Sequence, residues 1–60
     1  MNVLIRGICG KMGGNILELL TAEGISACGV DVANKSLSVP LYANFSQVRE
    51  TPDVIIDFSS

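Results

Sequence analysis

The feature that most constrains the fold of this chain is a set of spaced glycines directly behind a short apolar segment. Residues 3–5 are Val-Leu-Ile, and glycines follow at positions 7, 10 and 13. A continuous apolar run of this kind predicts a buried strand. Glycines at a strand-to-helix turn let the backbone close on a pyrophosphate, and the free N–H groups of the helix attract the anion. The segment therefore predicts the phosphate-binding unit of a dinucleotide-binding domain.

The residues behind the turn complete a β-α-β pattern. A helix is predicted there, ended by Gly24, with an apolar face formed by Met12, Ile16, Leu19 and Leu20. A second strand over residues 25–30 leads to Asp31, which lies 24 residues after Gly7. An acid at this position accepts hydrogen bonds from the adenosine ribose hydroxyls, favours NAD and repels a 2′-phosphate.

The second half of the chain adds shorter elements. Residues 39–42 could form a short extended piece at a sheet edge, because Pro40 cannot donate to a strand ladder. Asn44 and Gln47 have the spacing of a capping box, which predicts a short helix to about Glu50. Residues 54–56 are a third apolar run. The expected fold class is α/β, a three-layer Rossmann-type parallel sheet buried on both faces, of which the chain holds the first mononucleotide-binding half.

Several residues keep a second interpretation. The spacing is G-x-x-G-x-x-G, so the glycines alone equally fit a tight turn in which Gly13 permits close helix–strand contact; the β-α-β context and Asp31 favour the cofactor. Lys11, at the helix start, suits a bound anion. Lys35 could offset a 2′-phosphate, although a solvated loop lysine is favoured. Asp57 is interpreted as a turn former or cap rather than a general acid, while Arg6 could simply reach solvent.

Size and composition limit the remaining possibilities. Sixty residues have room for about half of a dinucleotide-binding domain, so we expect residues 1–60 to be the N-terminal part of a longer protein. A net charge of −2 and scattered basic residues argue against nucleic-acid binding. Cys9 and Cys28 are expected to be small buried side chains, and without histidine a metal site is not indicated. The lack of a membrane span or signal pattern favours a cytoplasmic protein.

Two motifs together resemble one enzyme family. Gly7-Ile-Cys-Gly-Lys-Met-Gly13 resembles the G-x-x-G-(R/K)-M-G turn of dihydrodipicolinate reductases, and Val54-Ile-Ile-Asp-Phe-Ser59 resembles their V-(V/I)-I-D-F-(S/T) strand. Two departures are Cys9, where Gly or Asn is common, and Lys11 in place of the usual Arg. The resemblance implies that Asp31 holds the adenosine ribose and that Phe58 and Ser59 lie towards the nicotinamide. It also implies that the pyrophosphate is wrapped by Gly7, Ile8, Cys9, Gly10, Lys11 and Met12.

The resemblance further implies an activity. The family reduces a cyclic dihydrodipicolinate-type substrate with NADH or NADPH in the diaminopimelate and lysine pathway, usually as a homotetramer. Its paired histidines and lysine lie in a later domain, so no catalytic residue is expected in this chain, and the isolated chain is expected to be inactive. Two alternatives remain: another NAD(P)-dependent dehydrogenase, such as one acting on amino acid semialdehydes, and a non-catalytic nucleotide-binding module. The Asp-Phe-Ser ending argues against the first.

Overall fold

A computed structural model describes residues 1–33 and 35–58, which form a parallel β-sheet with one α-helix packed on it. The sheet order is β3-β2-β1-β4, and each neighbouring pair is parallel. The elements in chain order are β1 (Asn2–Arg6), α1 (Lys11–Ala22), β2 (Ser26–Val30), β3 (Leu41–Tyr42), a single 3₁₀ turn (Phe45–Gln47) and β4 (Val54–Asp57). The predicted α/β class is confirmed.

The register brings the carboxyl ends of the strands to one edge. Arg6, the last residue of β1, lies opposite Val30 of β2 and Asp57 of β4. The chain passes from β1 to β2 and β3 on one side, then returns to the other side of β1 as β4. The strand order therefore reverses between β1 and β4, and open α/β sheets bind ligands in the crevice at such a point.

Helix α1 begins and ends as the sequence predicts, but it buries only half of the predicted apolar face. Gly24 follows the helix with φ 71°, a left-handed conformation that suits glycine. The predicted apolar face is wrong at Met12 and Leu19, whose side chains are 63% and 59% exposed. The buried positions are instead Gly13 and Leu17, because the close approach of Gly13 to the preceding turn sets which side of the helix faces the sheet.

The sheet is covered unevenly. On the α1 side the buried cluster contains Val3, Ile5, Ile8 and Leu17. On the other side Leu4, Cys28 and Val30 form a smaller cluster that Tyr42 and Val48 partly cover. The expectation of a sheet buried on both faces fails at β4, where Val54 and Ile55 are 42% and 50% exposed. Within the described residues this strand pairs with β1 and lies at the sheet edge.

The segment between β2 and β4 is less helical than predicted. The edge strand is confirmed, and the Pro40 carbonyl accepts the Gly29 N–H at 3.0 Å. The helix expected to reach Glu50 is a 3₁₀ turn that stops at Gln47, whose side chain accepts the Ala43 N–H at 3.0 Å. Val48 is extended and packs on the sheet, so the backbone must leave the helical conformation there.

Candidate cofactor site

The glycine turn after β1 is closed by backbone hydrogen bonds and by close contacts that exclude side chains. Gly7 has φ 78° and donates its N–H to the Val30 carbonyl at 2.8 Å. Gly10 donates to the Gly7 carbonyl at 3.0 Å. A Cβ on Gly13 would lie 2.4 Å from the same carbonyl oxygen and 2.8 Å from the Ile8 Cα. Glycine is therefore favoured at position 7 because φ is positive there, and at position 13 because the backbone of the turn leaves no room for a side chain.

The hydrogen bonds of the turn determine which amides remain for an anion. The N–H groups of Gly7, Cys9 and Gly10 already donate within the protein. Gly14 makes the first intrahelical bond, to the Gly10 carbonyl at 2.9 Å. The amides of Lys11 and Met12 belong to the first helical turn, which has no intrahelical acceptors for them. Together with the positive end of the α1 dipole, they form the part of the turn best suited to a phosphate.

Asp31 contacts the turn directly. Its Oδ2 accepts the Cys9 N–H at 2.9 Å, and its Oδ1 accepts the Ala33 N–H at 2.9 Å. These two hydrogen bonds hold the pKa of the Asp31 carboxyl below its usual range, and the bond from Ala33 has the larger effect. The sequence predicted Asp31 to be a ribose ligand at the end of the second strand, but nothing in the sequence indicated the bond to Cys9.

The two cysteines differ in their surroundings. Cys28 is buried in the sheet, as expected, and is a free thiol. Cys9 is only half-buried, which differs from the expectation, and its Sγ lies 3.7 Å from the Ala33 carbonyl oxygen. Burial, followed by the Asp31 charge, raises the pKa of the Cys9 thiol. Cys9 is therefore a neutral thiol at pH 7.

A groove of about 280 Å³ runs along the carboxyl ends of β1, β2 and β3. Asp31 lines it, with two apolar side chains that the sequence analysis missed: Val32, 97% exposed, and Phe45, 49% exposed. Their only signal in the sequence is that each closely follows the end of a strand. A larger cavity, about 530 Å³, lies at the opposite ends of the strands beside Asn2 and Ser26. We place the candidate site at the smaller groove, because the glycine turn and Asp31 adjoin it.

The far side of the strand-order reversal is formed by the end of β4. Arg6 does not simply reach solvent: its Nη1 lies 3.6 Å from Asp57 Oδ2, and both side chains are about half exposed. Phe58 donates its N–H to the Arg6 carbonyl at 2.9 Å, and its ring packs against the core on the α1 side. Lys35 is exposed in the loop after Asp31. Ser59, predicted to face the cofactor, lies outside the described residues.

The order β3-β2-β1-β4, with a glycine turn after β1 and an acid after β2, defines a Rossmann-type nucleotide-binding unit. Comparison with known proteins narrows this class. The family model described as dihydrodipicolinate reductase, N-terminus, matches residues 1–60, and the chain belongs to that family.

The chain is also similar to a named enzyme, of which it spans only part. The chain is 36% identical over 61 residues to a 4-hydroxy-tetrahydrodipicolinate reductase of Caldanaerobacter subterraneus subsp. tengcongensis. That alignment covers 98% of this chain and 24% of the relative, so the chain spans about a quarter of the length of that protein. No solved structure matches the chain significantly.

Two features are absent from residues 1–33 and 35–58. Within them no helix is long and apolar enough to cross a membrane. The same residues hold no group of three or more His, Cys, Asp or Glu side chains placed to bind a metal ion.

Proposed function

We propose that the protein carrying this sequence is an NAD(P)H-dependent 4-hydroxy-tetrahydrodipicolinate reductase of lysine and diaminopimelate biosynthesis, and that residues 1–60 are the N-terminal part of its cofactor-binding domain. The observation that carries the proposal is the contact between Asp31 and the glycine turn, at 2.9 Å, beside the strand-order reversal. Family membership and the relative's name support the same assignment.

The residues of the chain would bind and orient the cofactor. The cradle fits a pyrophosphate because a side chain at Gly13 would collide with the turn, while the Lys11 and Met12 amides are oriented for an anion. Asp31 would accept hydrogen bonds from the adenosine ribose, because its carboxyl, whose pKa lies below the ordinary value, is ionised at neutral pH. We assign the adenine ring to the groove beside Val32 and Phe45, since apolar and aromatic side chains suit the face of a base.

The nicotinamide would lie on the other side of the strand-order reversal, towards Phe58 and Ser59. When bound, the cofactor supplies the hydride, and the protein supplies position and electrostatics. We expect the substrate and proton-donating groups to lie outside residues 1–60, in a whole protein that forms a homotetramer and acts on a small molecule in the cytoplasm, with neither nucleic acid nor membrane as a partner.

The test is the substrate dependence of cofactor oxidation by the whole protein. NADH or NADPH should be oxidised when the dihydrodipicolinate-type substrate is supplied, and the rate should fall to background when it is omitted. Oxidation with an amino acid semialdehyde and none with the cyclic substrate would instead favour another dehydrogenase. Cofactor binding without turnover on either would favour a non-catalytic module.

The role of Asp31 as ribose ligand is tested by comparing the two cofactors. Asp31→Ala should weaken NADH binding more than NADPH binding, because the same change that loses an acceptor for the ribose hydroxyls also removes a charge that repels the 2′-phosphate. Dissociation constants measured by fluorescence titration of the whole protein would show this. Equal losses for both cofactors would mean that Asp31 is not the ribose ligand.

A further inference from the structure

We propose that Asp31 has a second role, as a positioning residue that holds the glycine turn in the shape that binds phosphate. The inference rests on the proposed function, because it assumes that the turn binds the cofactor pyrophosphate. It goes beyond a ribose contact, since it assigns to Asp31 an effect on the binding of the pyrophosphate through the shape of the turn.

The hydrogen bonds around the turn support this role. The start of the turn is held by the Gly7 N–H on the Val30 carbonyl, and its end by the Gly10 N–H on the Gly7 carbonyl. The middle of the turn is held by a residue outside it, because Asp31 Oδ2 accepts the Cys9 N–H at 2.9 Å. Cys9 directly precedes Gly10, the N-cap of α1, so this bond fixes the backbone that leads into the phosphate-binding amides.

The carboxylate is itself held in place. Its second oxygen accepts the Ala33 N–H at 2.9 Å, so amides from two different loops fix its orientation. A hydrogen bond to an ionised acceptor is stronger than one between neutral groups. The turn therefore has its binding shape before any ligand arrives, which lowers the cost of ordering it on binding.

Charge and position have opposite effects on a phosphate, and this makes the role testable. The negative charge of Asp31 repels a nearby anion, so its removal alone should strengthen the binding of inorganic pyrophosphate. Loss of the bond to Cys9 should weaken it. Asp31→Asn and Asp31→Ala remove the same charge, but only Asn retains an oxygen that can accept the Cys9 N–H. The single oxygen of Asn can accept either the Cys9 or the Ala33 N–H, so hydrogen exchange at Cys9 in Asp31→Asn establishes that the bond to Cys9 is retained.

The experiment measures two quantities on the whole protein: the affinity for inorganic pyrophosphate, and hydrogen exchange at the Cys9 amide without ligand. We expect Asp31→Ala to bind pyrophosphate about fivefold more weakly than Asp31→Asn, the ratio that one hydrogen bond of ordinary net strength corresponds to. Exchange at Cys9 should also be faster in Asp31→Ala, while exchange at the buried Leu4 amide in β1 stays as in the wild type.

The outcomes separate this inference from the proposed function. Equal pyrophosphate affinity in the two variants, with unchanged exchange at Cys9, would overturn the positioning role. Accelerated exchange at Cys9 in a protein that binds neither pyrophosphate nor cofactor would retain the contact and overturn the proposed function. If Asp31→Ala does not fold, Asp31→Val replaces it, because valine suits a strand end and has no acceptor.

Discussion

At the scale of single residues, two adjacent glycines of α1 differ in whether the structure has room for a side chain. A Cβ on Gly13 would meet the Gly7 carbonyl oxygen at 2.4 Å, whereas a Cβ on Gly14 would have nothing within 4 Å. Gly13→Ala should therefore destabilise the protein by about 1–3 kcal/mol, as overpacking does. Gly14→Ala should stabilise it by about 0.5–1 kcal/mol, because alanine is the better helix former. Thermal unfolding of both variants checks the pair, and similar effects at the two positions would contradict the close approach of turn and helix.

The need for glycine at position 29 could not be predicted from the sequence. Gly29 lies within β2, where glycine is unfavourable, and the alternation of apolar and polar residues gives it no role. In the structure a Cβ there would lie 2.4–2.7 Å from side-chain atoms of Ile8, which is 1% exposed. The requirement comes from a residue 21 positions earlier in the chain, so it depends on how the turn folds over the sheet.

The candidate site could be predicted from the sequence only in part. The positions of the glycine turn and Asp31 follow from local spacing, and the structure brings them within hydrogen-bonding distance. The bond from Cys9 to Asp31 and the groove side chain of Phe45 depend on contacts between loops that are distant in sequence. Local patterns carry no information on such contacts.

At the scale of elements, two leucines on different sides of α1 show which side of the helix stabilises the fold. Leu17 is 8% exposed and belongs to the core, whereas Leu19 is 59% exposed. Leu17→Ala should cost about 2–5 kcal/mol, the usual range for a buried leucine. Leu19→Ala should stay within about 0.5 kcal/mol of the wild type. Chemical denaturation of the two variants measures this, and an equal loss at Leu19 would mean that another surface of the protein covers it.

The error in the helix face has a physical cause. Helical spacing gave residues 12, 16, 19 and 20 as the apolar stripe, and two of these four pack against the core. The stripe is rotated because Gly13, a residue with no hydrophobic signal, lies so close to the turn that a Cβ there would collide with it. By contrast, β1, β2 and β4 were easier to predict, since each follows from a short apolar run, and the β-α-β connection determines the parallel pairing of β1 with β2.

The segment from β3 to β4 is held by a hydrogen bond whose strength depends on pH. The Tyr42 hydroxyl donates to Glu50 Oε1 at 2.5 Å. This bond is the main cause that lowers the pKa of Glu50 below its ordinary value of 4.5, and it also raises the pKa of Tyr42 above 10.0. A lowered acid pKa stabilises the folded state above the ordinary value, and this stability is lost as pH falls through the folded value. A raised tyrosine pKa stabilises the fold below pH 10, and this is lost as pH rises through the folded value.

Tyr42→Phe removes this hydrogen bond while keeping the ring. The wild type should be more stable than the variant between about pH 5 and pH 9, and the difference should shrink on the acid side as Glu50 is protonated and on the alkaline side as Tyr42 ionises. Melting temperatures of both proteins across this range provide the measurement. In a Glu50→Gln background the acid-side change should disappear. A difference that does not vary with pH would show that Tyr42 stabilises the fold by packing alone.

At the scale of the whole molecule, the described residues line the crevice at the strand-order reversal. Of the residues that the structure describes, the glycine turn and Asp31 lie on one side of the strand-order reversal, and the end of β4 lies on the other. Val54 and Ile55, in the first half of β4, leave further apolar surface exposed in the described residues. The relative that the chain resembles is about four times as long, and the sequence has no histidine. On the proposed function, proton donation and substrate binding therefore require other residues.

We accordingly predict that residues 1–60, expressed alone, will not oxidise NADH or NADPH in the presence of the cyclic substrate, because positioned reactants are needed for hydride transfer. The whole protein, assayed in the same buffer, is the positive control, and circular dichroism shows whether the sixty-residue chain is folded. The whole protein in which Asp31 is changed to Ala should retain turnover at saturating NADPH, which separates weak binding from absent chemistry. Measurable turnover by the folded sixty-residue chain would place a substrate site and a proton donor within these residues.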